Sequence, residues 1–179
     1  MMSYAENIAV IMEICRQLNP RAVLDIGTGF GKYGFLVRER LLSEKANKGD
    51  LYPQDNCIID CVEETPYFYG FPFHQTAYNN LYHQNVFLVS DEILRKYDLM
   101  LLIDIVEHWG KEAALSFLNR LELLERRFLV STPKKVVIYD PKYYGCEKHK
   151  TQFFDADFRK FNVLKNFSNE LSYIYLLGT

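Results

Sequence analysis

Apolar side chains follow two different periods along this chain. Helical spacing of apolar residues predicts helices over 4–18, 31–46 and 111–125. Short, nearly continuous apolar runs predict buried strands between them, at 22–26, 57–63, 86–90, 98–104 and 127–132. A further helix is predicted over 155–161, and the segments 161–167 and 170–178 are spaced like a hairpin. Alternation of strand and helix predicts an α/β fold, a mostly parallel sheet with helices on both faces.

Two stretches interrupt this alternation. The polar residues of 47–56 predict a surface loop. The segment 66–83 carries seven aromatic residues in eighteen positions without clear periodicity. It is interpreted as a loop packed by its own side chains, with the wall of a substrate pocket as the alternative.

Length and composition restrict the class of protein. A chain of 179 residues with 49% hydrophobic and 25% charged residues is typical of one globular domain, here 1–179. The net charge of −2 argues against a broad nucleic-acid-binding face. Acidic and basic residues interrupt the apolar pattern near the N-terminus, and no apolar run is long enough to span a membrane. Four cysteines without a CxxC pair predict buried free thiols. Free thiols, together with apolar runs too short to span a membrane, lead us to expect a cytoplasmic protein with no membrane partner.

The stretch "LDIGTGFG", residues 24–31, places three glycines directly after a predicted strand. A dinucleotide-binding fingerprint would need glycine at position 32, which is Lys32. This argues against a nicotinamide-dependent oxidoreductase. Glycine at alternate positions instead allows a tight turn that a ligand can approach closely.

That motif resembles motif I of class I S-adenosylmethionine-dependent methyltransferases. With "GFGKYGFL", "DIVEHW", "STPK" and "CEKHKTQFFDADF", the chain from Arg21 onward is similar to a small bacterial subset of that family. The resemblance implies a Rossmann-like three-layer sandwich and S-adenosylmethionine as cofactor. Together with the predicted strands it gives a seven-stranded sheet of order 3-2-1-4-5-7-6, with the last strand antiparallel. The N-terminal helix within 1–20 is expected to form part of a pocket lid.

The resemblance also implies a set of cofactor-binding residues. Asp25 would face the cofactor's ammonium, Glu63 the ribose hydroxyls with Glu64 as the alternative, and Asp91 the adenine amino group. The full set is Asp25, Gly27, Thr28, Gly29, Gly31, Glu63, Glu64, Asp91 and Asp104. Simpler roles exist for two of them, since Asp25 can cap the turn and Asp91 can cap the next helix.

Three residues are candidates for catalysis. His108, just past the fourth strand, is the first candidate for a general base, because an ordinary imidazole is largely neutral at cytoplasmic pH. His149 is the second, and Glu107 neighbours the first; both histidines could instead be packing or loop residues. A divalent metal shared by Glu107, His108 and His149 is a minor alternative without diagnostic spacing, so no metal site is predicted.

The acceptor is predicted to be a small molecule, such as a sugar or a nucleotide-linked sugar. "DPKYY" (140–144) is similar to a signature of methyltransferases acting on nucleic-acid bases, but it follows the fifth predicted strand rather than the fourth. It is interpreted as a turn, and no nucleic-acid partner is expected. The alternative function is a non-catalytic module that binds the cofactor or its demethylated product. The pocket roof is expected from 1–20, 66–83 and 133–153, or from a partner subunit in a homodimer.

Overall fold

A computed structural model describes residues 3–46, 57–140 and 148–179. Within these ranges one seven-stranded sheet runs through the molecule in the order β3-β2-β1-β4-β5-β7-β6. Its strands are β1 (Ala22–Ile26), β2 (Ile58–Val62), β3 (Leu81–Tyr82), β4 (Leu99–Ile103), β5 (Arg127–Pro133), β6 (Val163–Asn166) and β7 (Ser172–Leu177). The last strand, β7, lies between β5 and β6 and is antiparallel to both. The predicted sheet order and the antiparallel last strand are confirmed.

Helices cover both faces of this sheet. In chain order they are α1 (Ile8–Leu18), α2 (Lys32–Ala46), α3 (Pro72–Ala77), α4 (Asp91–Leu94), α5 (Lys111–Leu123) and α6 (Asp155–Phe158). Helix α1 ends where Asn19 adopts a left-handed conformation at φ 44°, directly before Pro20, which cannot continue a helix. Short 3-10 turns occupy Ala5–Asn7, Pro66–Phe68, Val86–Leu88 and Val106–His108.

The core has two layers, one on each side of the sheet. Strand β4 is buried along its whole length, as its continuous apolar run predicts. Its alternate residues divide between the layers: Met100 and Leu102 pack with α5, whereas Leu99 and Leu101 pack with α1 and α2. The three-layer α/β sandwich is therefore confirmed.

The third strand differs from the sequence prediction. The apolar run 86–90 was expected to form it, but Val86–Leu88 is a 3-10 turn. The Asn85 side chain caps that turn by accepting a hydrogen bond from the Phe87 amide at 2.9 Å. The true third strand is the two-residue Leu81–Tyr82, paired with β2. The segment 66–83 accordingly contains a 3-10 turn, α3 and β3, and is not the single loop that was expected.

The cysteines are consistent with the sequence interpretation where the structure describes them. Cys15, Cys57 and Cys61 are free and buried. Burial raises the pKa of the Cys15 thiol to about 12, so this thiol is protonated and inert at neutral pH. Cys146 and the predicted loop 47–56 lie outside the described residues, as does most of the predicted turn 140–144. In the described ranges, every helix is too short or too polar to cross a membrane.

Candidate functional site

A cavity of about 500 Å³ opens at the carboxyl ends of β1, β2 and β4. The chain leaves β1 for β2 on one side and reaches β4 on the other, so the cavity lies where the sheet reverses its strand order. Open α/β sheets bind ligands at this place. Eight residues predicted from the sequence line the cavity: Asp25, Gly27, Thr28, Gly29, Glu63, Glu64, Asp104 and His108. The cavity therefore lies where ligand binding was predicted.

The glycine turn forms the floor between β1 and α2. Gly27, Gly29 and Gly31 have φ values of 71°, 52° and 85°, a left-handed conformation that favours glycine. A Cβ on Gly27 would collide with Ile105, and one on Gly31 would collide with His74. A Cβ on Gly29 would meet no atom within 4 Å in the described chain. Packing therefore accounts for two of the glycines, whereas Gly29 leaves room for a ligand to contact the backbone.

His74 supports this turn from α3 and was not anticipated from the sequence. Its Nε2 lies 2.7 Å from the Gly29 carbonyl oxygen and 3.2 Å from the Thr28 hydroxyl. A carbonyl only accepts, so Nε2 carries the hydrogen. The side chain is fully buried, and burial lowers its pKa. A neutral imidazole thus holds the glycine turn, and no local motif signals a contact that spans 45 residues.

Asp25 connects the turn to the helix that follows. One carboxylate oxygen accepts hydrogen bonds from the Tyr78 hydroxyl at 2.6 Å and from the Gly34 amide at 3.2 Å. Burial raises the pKa of Asp25 to about 6, although both hydrogen bonds act in the opposite direction. Asp25 also lines the cavity. Asp25 therefore fastens the turn to the helix, as the capping alternative predicted, and also forms part of the cavity wall.

Glu63 directly follows β2 and also supports the glycine turn. Its Oε2 accepts a hydrogen bond from the Gly29 amide at 3.0 Å, and its Oε1 accepts one from the Thr65 amide at 2.8 Å. Each carboxylate oxygen can accept a second donor, so the side chain can also receive hydroxyl groups from the cavity. Glu63 is buried, whereas Glu64 is exposed and accepts a hydrogen bond from Asn85 at 2.7 Å.

Asp91 lies elsewhere, which corrects its predicted place. It is exposed at the start of α4, and Arg120 donates a hydrogen bond from Nε to its Oδ1 at 2.6 Å. The displacement has a simple cause: β3 ends at Tyr82, nine residues before Asp91. Three residues that sequence reasoning missed line the cavity after that strand: Gln84, Asn85 and Val86. Asn85, a good cap residue before an apolar run, was the available signal for a turn there.

Asp104 directly follows β4, beside the cavity. Its φ of 51° is left-handed, a conformation that aspartate tolerates better than most residues. The Ser131 hydroxyl donates a hydrogen bond to its Oδ1 at 2.9 Å. Burial raises the pKa of this carboxyl, while Ser131 and Lys32 oppose the rise. Asp104 was predicted as a pocket residue, and its side chain lies in the cavity wall.

Glu107, His108 and His149, here called the Glu107 cluster, come together although 41 positions separate the two histidines. Glu107 and His108 lie on the 3-10 turn after β4. The segment carrying His149 is fastened to that turn, because the Lys150 and Thr151 amides donate to the Glu107 carbonyl at 2.8 and 3.1 Å. One ligand atom from each side chain lies within 4.8 Å of the other two. The three residues predicted to be catalytic therefore lie close together in the structure.

All three side chains of this cluster are buried. Glu107, His108 and His149 are 1%, 8% and 3% exposed. Burial first, and the nearby Asp104 carboxylate second, raise the pKa of Glu107 well above its ordinary value. The Thr132 hydroxyl donates to Glu107 Oε2 at 3.0 Å. Of the three, His108 lines the cavity, so the cluster reaches the cavity through this imidazole.

Segments expected to roof the cavity each contribute to it. Ser3 comes from the N-terminal segment, Tyr67 and Phe68 from 66–83, and Lys150 from 133–153. Helix α1 itself packs on the sheet through Ile11, Ile14 and Cys15. In the described part of the cavity wall, the N-terminal segment contributes Ser3.

No protein-family model and no curated protein matches the chain by sequence. Solved structures do match it over nearly its full length. The methyltransferase domain of bacterial CtHen1-CN has a TM-score of 0.60 at 16% identity, with 97% of this chain and 98% of that one covered. The fold is a methyltransferase fold. The identity is low, so the likeness concerns the fold alone.

Two further structures share this methyltransferase fold. The N-terminal domain of EvdMO1, solved with SAH (S-adenosylhomocysteine) bound, has a TM-score of 0.61 at 12% identity, covering 98% of this chain and 81% of that one. An rRNA methylase from Escherichia coli has a TM-score of 0.55 at 16% identity. The match covers 98% of the present chain but 64% of the rRNA methylase.

Proposed function

We propose that this chain is an S-adenosylmethionine-dependent methyltransferase acting on a small-molecule acceptor, with a sugar or nucleotide-linked sugar as the first class to test. One observation carries the proposal. A single cavity at the strand-order reversal of a methyltransferase fold is lined by Gly29, Glu63 and His108. These residues supply close backbone approach, an acceptor for hydroxyl groups, and a group able to take a proton.

The cavity residues fit the cofactor's separate parts. The open face of Gly29 admits a ligand against the backbone. Glu63 has unused acceptor capacity for the two ribose hydroxyls, and Asp25 offers a carboxylate to the ammonium group. Gln84, Asn85 and Val86 line the cavity wall after β3. In this proposal they contact the adenine, the role that the sequence analysis gave to Asp91.

The remaining chemistry belongs to the acceptor side of the cavity. When bound, S-adenosylmethionine supplies a methyl group on a sulfonium sulfur, which keeps the C–S electron pair as the methyl bonds to the acceptor. The chain must align the acceptor and allow its hydroxyl proton to leave. His108, with Glu107 and His149 behind it, stands at the cavity wall and serves this step.

The rim of the cavity favours a compact acceptor. Phe30, Tyr67 and Phe68 form an aromatic edge, with ring centroids 5.0 Å apart for Phe30 and Phe68 and 5.3 Å for Tyr67 and Phe68. Flat apolar faces beside a few polar groups are typical of small-molecule sites. The net charge of −2 offers little attraction to a polyanion.

Calorimetry tests the cofactor half of the proposal. We expect S-adenosylmethionine and S-adenosylhomocysteine to bind in the micromolar range and NAD to give no heat. Binding of NAD without response to either sulfur compound would overturn the proposal. Tight binding of both sulfur compounds, with no methyl transfer to a broad panel of sugars and nucleotide sugars, would favour the non-catalytic binding module.

A further inference from the structure

The Glu107 cluster is a convergence of metal-ligand side chains that the cofactor pocket does not require. Two imidazoles and one carboxylate lie buried together, each with a ligand atom within 4.8 Å of the others. They come from two separate segments, which the backbone hydrogen bonds of Lys150 and Thr151 hold together. Burying the Glu107 carboxylate in this cluster costs solvation unless a further interaction offsets it.

We propose that Glu107, His108 and His149 bind one divalent first-row transition-metal cation at the wall of the cavity. The inference rests on the proposed function for its role there and deepens it. A cation in this position would orient a hydroxyl-bearing acceptor and lower the pKa of that hydroxyl, the proton passing to water. His108 would then act as a metal ligand and not as the general base predicted from the sequence.

The ligand set indicates the kind of cation. Imidazole nitrogens suit zinc, iron, cobalt and nickel, whereas magnesium and calcium prefer oxygen ligands. Donor atoms at about 2.1 Å from a metal lie roughly 3 to 3.5 Å from one another. Because the ligand atoms lie within 4.8 Å of one another, metal binding needs side-chain shifts of about 1–2 Å within the cluster. Three protein ligands leave coordination positions open, and His108 brings the site to the cavity.

Glu107 provides a second and independent observation. Its side chain is 1% exposed, and its Oε1 has no hydrogen-bond partner among the described residues. Its other oxygen, Oε2, is held by the Thr132 hydroxyl at 3.0 Å. Metal-binding carboxylates are commonly oriented by such an outer hydrogen bond, which leaves one oxygen for the metal. A buried carboxylate fixed in this way is directed toward the two histidines as a ligand would be.

Cobalt(II) alone is a suitable probe, because its visible absorption reports the coordination geometry without turnover. We expect metal-free protein to bind one equivalent of Co²⁺ and Zn²⁺ to displace it, with Mn²⁺ weaker and Mg²⁺ ineffective. His149→Ala and Glu107→Gln should each weaken Co²⁺ binding by at least about 100-fold, since removing a ligand costs more than removing its outer support.

His83→Ala is the matched control, because His83 is exposed, packs against the Tyr69 ring and is not a member of the cluster. Its Co²⁺ affinity should equal that of the unmodified protein. Thr132→Val covers the case in which a ligand variant does not fold. It removes the outer hydrogen bond and should weaken binding by about 10- to 100-fold, with an unchanged circular dichroism spectrum.

Three results would overturn the inference: no Co²⁺ binding, binding that the cluster variants leave unchanged, or binding that His83→Ala abolishes. Calorimetry with S-adenosylhomocysteine separates this failure from failure of the proposed function. A protein that binds S-adenosylhomocysteine but no Co²⁺ refutes the metal site alone. One that binds Co²⁺ through the cluster but neither sulfur compound keeps the metal site and refutes the proposed function.

Discussion

Replacement of Glu63 by alanine should weaken the cofactor site and the fold together. The buried carboxylate holds the Gly29 amide at 3.0 Å and the Thr65 amide at 2.8 Å. A hydrogen bond to a charged group contributes about 1.5–3 kcal/mol. The cavity admits water to the freed amides, so we expect a loss in the free energy of unfolding of about 1–3 kcal/mol, well below the sum of both bonds.

The same substitution should also weaken the binding of the cofactor product S-adenosylhomocysteine. Loss of two ribose hydroxyl contacts, at about 1.5 kcal/mol or more each, corresponds to roughly 100-fold weaker binding of S-adenosylhomocysteine. Glu63→Gln keeps one acceptor oxygen but turns its amide group toward a backbone donor, so roughly tenfold is expected. Glu64→Ala removes an exposed carboxylate and should change affinity by less than about threefold.

Titration calorimetry measures the affinities of these variants, and urea denaturation followed by circular dichroism measures their stability. Normal binding of S-adenosylhomocysteine by Glu63→Ala would refute the role of Glu63 as ribose ligand. A larger loss of affinity in Glu64→Ala would refute it too, because the exposed neighbour would then be the ribose ligand. An affinity loss without any loss of stability would show that the two amide contacts contribute little to the fold.

Three other changes test separate parts of the structure. His108→Ala should reduce turnover by about 10²- to 10⁴-fold with nearly intact cofactor affinity; near-normal rates between pH 6 and 9 would exclude it from the reaction. Gly34→Ala should lower the free energy of unfolding, measured by urea denaturation, by about 1–3 kcal/mol, because the added Cβ would overlap the Tyr78 ring. This loss should exceed the gain from alanine's higher helix propensity. Gly110→Ala, whose Cβ would meet no atom within 4 Å among the described residues, is the control. Burial raises the pKa of Asp25 from about 4 to about 6, so the folded state keeps a proton that the unfolded state loses. The free energy of unfolding should fall by on the order of 3 kcal/mol as pH rises from 4 to 7, and Asp25→Asn should show a smaller fall; an equal slope in both proteins would refute this role.

The fold was predicted well because the apolar composition of the central strands indicates that they are buried on both faces. Leu99 to Ile103 are apolar and buried on both faces, and the glycine turn follows β1 as expected. The third strand was missed because Leu81–Tyr82 is too short to show a period, while the apolar run after Asn85 is longer and more strand-like. Hydrophobic periodicity identifies long helices and strands, but a strand of two residues is too short to show a repeat.

The site was predicted in part for a related reason. Asp25, Glu63 and Asp104 stand at strand ends, where local patterns place them. The role of His74 in holding the Gly29 carbonyl depends on a contact between distant segments, which spacing does not encode. The same holds for His149, whose position near Glu107 is set by backbone hydrogen bonds of the residues that follow it. Tertiary contacts between loops were therefore the part that sequence reasoning could not supply.

The position of β7 has a consequence for how the chain folds during synthesis. Strands β1 to β5 are made first and can pair as they leave the ribosome. The outer edge of β5 has no partner strand until β7 (Ser172–Leu177) has been made. Strand β6 is made earlier and pairs in the finished sheet with β7 alone. Until β7 has been made, the edge of β5 that β7 later covers is exposed and can pair with other nascent chains. Chaperone demand during translation should therefore concentrate in the interval between completion of β5 and emergence of β7.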